Sequence, residues 1–95
     1  MILVADIQRA VAEHYGMGVD TLLSPTRRRK VARPRQVAMA LCREHTARSQ
    51  SDIATRFGLT NHATVIHAVK RINALRLVDA ELDQDVRLIS ERLAA

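Results

Sequence analysis

The chain has 95 residues, of which 47% are hydrophobic, enough for one small core and too many for a disordered tail. Aromatic residues make up only 2%, Tyr15 and Phe57, which disfavours recognition of unpaired bases by stacking. Lys and Arg exceed Asp and Glu by 15 to 10, which favours a polyanionic partner, and Cys42 as the only cysteine excludes an internal disulfide and points to the reducing cytoplasm.

Helical periodicity dominates from one end to the other, and no sustained alternation marks a strand. No apolar run is long enough to span a membrane, and Met1 to Ala5 lacks the basic leader of a signal peptide. No repeat or linker divides the sequence, so residues 1–95 read as one domain.

A first helix is expected from about Asp6, a good N-cap, to Tyr15, with Ile7, Ala10 and Val11 in its apolar stripe and Gly16 as its stop. Val19 to Leu23 is short but apolar enough to dock on a core. Ser24-Pro25 breaks the chain, and Arg27, Arg28, Arg29, Lys30, Arg33 and Arg35 then crowd into residues 27–35. Such runs are usually solvated loops. The next helix is expected to start near Pro34, which suits a first helical position, and to end near Thr46. Val37 to Cys42 (VAMALC) is apolar on nearly every side, as in a buried central helix. Cys42 and His45 have helical metal-pair spacing, but a buried structural thiol is the better reading in so apolar a run. His62 and His67 are five apart, which puts them on different faces and not on a metal.

Ser49 and Asp52 resemble a capping box opening a short helix with Ile53, Ala54 and Phe57, closed by Gly58. A longer helix follows, with Val65, Val69, Ile72 and Leu75 on one face. A last helix begins near Asp79 and carries Leu82, Val86, Ile89 and Leu93. Gln50–Phe57, a tight turn with glycine, then Asn61–Leu75 has the order of a helix-turn-helix. The second helix opens with Asn61, His62 and Thr64, residues that suit a helix end entering a major groove and not a core.

VARPRQVAMALCREHT (Val31 to Thr46), SDIATRFG and NHATVIHAVKRI, in that order, resemble the C-terminal DNA-binding domain of the bacterial chromosomal replication initiator DnaA. The resemblance runs from about Asp6 to Ile72. It implies an all-α, Trp-repressor-like bundle that binds DnaA boxes in double-stranded DNA in replication initiation or its regulation. Carried over, it puts Arg27 of a basic loop in the minor groove, with Arg29 in the same run. Asn61, His62, Ala63 and Thr64 then face the major groove. Arg35, Arg43 and His67 fall near the backbone or groove floor, and Ser51 at the start of the first motif helix.

The family usually has a basic residue at Thr60, an acidic one at Asn61 and a hydroxyl residue at Ala63, so the sequence read is expected to shift. Asn61 suits a bidentate adenine contact but equally a helix cap. His62 suits a base edge or phosphate, or simply a solvated first turn. Ala63 offers a methyl for a thymine methyl, or mere helix propensity. Thr64 suits a phosphate or a cap.

The glycines, Gly16, Gly18 and Gly58, form no G-x-x-x-x-G-K-[ST] loop, so this chain is not expected to bind ATP as the initiator does. An excised domain or a free-standing relative both fit, and Met1 leans toward the second. No catalytic constellation or cofactor site emerges, and the chain reads as a non-enzyme. A different class of function also fits the altered reading edge: an adaptor that binds the full-length initiator or its regulators.

Overall fold

The computed structural model describes residues 1–95 and contains only helices, as expected of an all-α bundle. In chain order these are α1 (Val4–His14), α2 (Val19–Leu22), α3 (Arg29–His45), α4 (Gln50–Arg56), α5 (Ala63–Arg76) and α6 (Ala80–Ala94). α3 is the axis of the molecule. Its Val37, Ala38, Met39, Leu41 and Cys42 are buried, and α1, α2, α4, α5 and α6 all pack around it, α5 most extensively. Burial pushes the Cys42 thiol up to about 12, so it stays protonated and behaves as a small apolar side chain.

Three starts differ from the sequence expectation: α5 begins at Ala63 and not at Asn61, and α1 and α3 each begin earlier than expected. α1 begins before Asp6, with Leu3 as N-cap, because the earlier start brings Val4 into the core. Asp6 then sits in the first turn and accepts the Leu3 N–H at 2.9 Å, using the positive helix end from one position further in. α3 begins at Arg29 and not at Pro34, which lies inside the helix. Pro34 is buried and has no N–H for the Lys30 carbonyl, but Lys30 is exposed, which leaves that acceptor to water. The helix is nucleated upstream, where the Ala32 N–H reaches the Arg28 carbonyl at 2.7 Å. Arg29, Lys30 and Arg33 therefore stand at helical spacing, and only Arg27 and Arg28 belong to the loop.

Of the capping box expected at Ser49 and Asp52, α4 forms one half. Ser49 Oγ accepts the Asp52 N–H at 3.1 Å. The Asp52 carboxylate turns instead to Arg48 and Arg56. Gly58 has φ 72°, and the Gly58 N–H to Thr55 and Leu59 N–H to Ala54 bonds close α4 as a Schellman motif. An L-residue there strains the backbone although nothing blocks a Cβ. This turn sets the angle at which α5 leaves α4. Val65, Ala68 and Ile72 of α5 are buried, with Val69 and Leu75 partly so.

α6 starts after Asp79, whose Oδ1 caps the Leu82 N–H at 3.1 Å, and buries Leu82, Val86 and Ile89. Polar ties fix it to the bundle. Asp85 takes His14 Nε2 at 2.9 Å and the Tyr15 hydroxyl at 3.2 Å, while Arg92 pairs with Glu13 at 2.7 Å. Burial, then the Asp85 charge, raises the Tyr15 phenol well above its usual range, keeping it a donor.

Candidate nucleic-acid interface

The loop carrying Arg27 and the start of α5 meet at one cleft of about 470 Å³, lined among others by Pro25, Arg27, Arg35, Phe57, Leu59 and Thr64. Phe57 is buried and Leu59 partly so; they form the apolar floor beneath the turn. Arg27 is exposed on the opposite wall, with no carboxylate in ion-pair reach.

What shapes the loop is Arg35. One guanidinium nitrogen donates to the Ser24 carbonyl and the other to the Thr26 carbonyl at 2.7 Å. Burial lowers its pKa, yet an arginine stays cationic. The expected groove-floor residue is thus occupied in holding up the segment that presents Arg27.

At the start of α5, Asn61 Oδ1 accepts the Ala63 N–H at 2.9 Å, and the Asn61 carbonyl takes the Thr64 N–H at 3.3 Å. The asparagine therefore closes an Asx turn at the head of α5, and regular helix begins at Ala63 with His62 as its N-cap residue. Asn61, His62 and Thr64 are exposed and Ala63 partly so, and Thr64 lines the cleft. His67 is exposed one turn further along the face of Thr64.

Arg43 and Ser51 do not line the cleft. Arg43 is exposed and unpaired near the end of α3, and Ser51 is exposed in the first turn of α4. Arg29 is exposed and unpaired at the start of α3.

One residue not singled out from sequence belongs with these. Arg71 is exposed and unpaired on α5 and repeats the i, i+3, i+7 line of Thr64 and His67. Its charge reaches Arg33, whose pKa is lowered by burial first, then by Arg29 and Arg71. Buried Arg33 Nε has no partner. Helical spacing on the exposed side of α5 was the available signal.

The local charge is one-signed because no Asp or Glu occurs between Asp20 and Glu44, nor between Asp52 and Asp79. Arg27, Arg28, Arg29, Lys30, Arg33, Arg43, Lys70 and Arg71 form no ion pair, whereas Arg9, Arg48, Arg56, Arg76, Arg87 and Arg92 all do. Unpaired guanidinium groups keep their fork free for phosphate or base oxygens.

A helix-turn-helix whose second helix opens with exposed polar residues, flanked by unpaired cations, defines a module of the nucleic-acid-docking class. The family model for the bacterial dnaA protein helix-turn-helix matches residues 4–72, and the chain belongs to that family. It is 52% identical over 92 residues to the chromosomal replication initiator protein DnaA of Caulobacter vibrioides, covering 97% of this chain and 19% of that protein. The DnaA proteins of Sphingopyxis alaskensis and Ruegeria pomeroyi are 49% and 45% identical over 97% and 99% of this chain, which covers 20% of each. The chain thus spans about one fifth of these relatives. α6 lies beyond the family match but within the segments aligned to them. No helix is long and apolar enough to cross a membrane.

Proposed function

We propose that this chain binds double-stranded DNA with sequence preference, at DnaA-box-like sites, in replication initiation or its regulation. The observation that carries the reading is the meeting of the unpaired Arg27 loop and the polar start of α5 at one cleft. In this reading α5 enters the major groove with Asn61, His62, Ala63 and Thr64 toward the bases, and His67 further along the groove. Arg27 enters the adjacent minor groove, where an arginine gains from a narrow, strongly negative channel. Arg29, Arg43 and Arg71 hold phosphates, Ser51 meets the backbone at the start of α4, and Arg35 acts through the loop it anchors. Residues 1–95 act as one domain, without ATP or a cofactor and without catalysis. Such a domain works on the nucleoid, in the cytoplasm.

A second reading, an adaptor for the full-length initiator or its regulators, is favoured by one feature. Leu77 and Val78 are 86% and 83% exposed beside Leu88, an apolar corner between α5 and α6. Selection from a random duplex pool with the whole chain separates the two. DNA recognition expects one enriched motif; uniform, salt-sensitive binding with no motif contradicts it.

A further inference from the structure

Asn61 is the one reading-edge side chain with part of its hydrogen-bonding capacity visibly used. Its Oδ1 accepts the Ala63 N–H at 2.9 Å, two residues on, in the turn that opens α5. The residue is exposed, and its Nδ2 has no partner within the chain. A free asparagine can grip adenine bidentately, donating to N7 and accepting from N6. Here one of the two Oδ1 lone pairs is taken by the chain's own backbone, while the NH2, which only donates, is wholly free.

We propose that Asn61 reads its base pair through its free NH2, and so favours a base edge that accepts hydrogen bonds over cytosine. The inference rests on the DNA-binding reading above and fixes which base the altered position disfavours. In the major groove guanine shows two acceptors, N7 and O6; thymine shows O4; adenine shows N7 beside a donor; cytosine shows only its N4 donor. An amide read through its NH2 therefore finds acceptors on guanine, adenine or thymine and none on cytosine, which ranks last on the strand it faces. The turn at the head of α5 and the base preference are two ends of one amide.

The test uses Asn61→Asp, which is isosteric. Aspartate closes the same Asx turn, so one oxygen can keep the Ala63 N–H while the outward atom changes from donor to acceptor. Random-duplex selection is run in parallel on the natural chain, Asn61→Asp and Asn61→Ala, with thermal unfolding followed for each. The natural chain is expected to enrich a motif with one position depleted of cytosine. Asn61→Asp should invert that position alone, to cytosine over guanine by about tenfold, with the rest of the motif kept. Asn61→Ala should lose preference there and unfold at a lower temperature.

An Asn61→Asp motif identical to the natural one, or a uniform loss of affinity as from a repelled phosphate, overturns the proposal and leaves DNA recognition standing. No motif from the natural chain overturns both.

Discussion

Arg27 and Arg87 are both exposed arginines, and they are in opposite situations. Arg87 reaches Asp83 at 2.8 Å, and the same carboxylate takes Arg76 at 2.7 Å. Arg27 sits on a loop held from below by Arg35, in a stretch with no acidic residue, and has no partner. The α6 side neutralises its charge internally; the side formed by the 24–28 loop, the start of α3 and the exposed line of α5 leaves its charge open. A net charge of +5 states the excess, while pairing states where it is available. Docking of a polyanion follows from the second property.

The sharpest way to break this contrast is to remove the anchor. Arg35→Ala leaves the Ser24 and Thr26 carbonyls without their charged donor, which should cost about 2 kcal/mol of stability and weaken DNA binding as well. Urea unfolding and fluorescence anisotropy on a duplex read the two effects; unchanged binding would show that the loop needs no anchor.

Arg27→Ala should reduce affinity by about 1–3 kcal/mol with the melting temperature unchanged, while Arg87→Ala leaves affinity where it was. Equal losses from the two variants would erase the distinction between the faces.

Smaller effects sharpen the map. Each phosphate contact contributes about 0.9 to the salt slope of binding to duplex DNA. Arg43→Gln and Arg71→Gln should each lower the slope by about that amount, and Arg76→Gln should not; a titration from low to moderate salt measures all three.

The smallest effect concerns pH. The Arg76 hydrogen bond, with Arg87 nearby, holds the Asp83 carboxyl below the usual carboxylate range. Its contribution to stability is present above the unfolded carboxylate value, about 4, and is lost as pH falls through the lower folded value. Melting curves for Asp83→Asn should show a shallower acid decline than the natural chain, with DNA affinity at neutral pH unaltered. Identical acid declines would remove Asp83 from the pairing network.

Much of this was legible in the sequence where a feature depends on near neighbours. VAMALC announced a buried α3, Gly58 announced the end of α4, Ser49 announced its cap, and Asp79 announced where the last helix begins. What escaped depends on tertiary placement. Pro34 looks like a helix start, but the preceding turn, from Arg29, is already helical. Arg35 looks like one more cation in a basic run, and only the path of the 24–28 loop puts two carbonyls within its reach. Arg71 has an ordinary surface sequence context; its membership of the Thr64 and His67 line matters once α3 is known to cover the other side of α5. Of the two readings of Asn61 from sequence, cap or base contact, local geometry gives an Asx turn at the helix head without removing the outward NH2.

The most direct test of a two-sided molecule is a titration of the whole isotope-labelled chain with a duplex bearing the selected motif, followed by amide chemical shifts. The largest changes are expected at residues 26–29 and 58–64, smaller ones at 43, 51, 67 and 71, and quiet amides along 80–94. Changes centred on α6 and the Leu77–Val78 corner, with a silent 58–64 turn, would contradict that pattern.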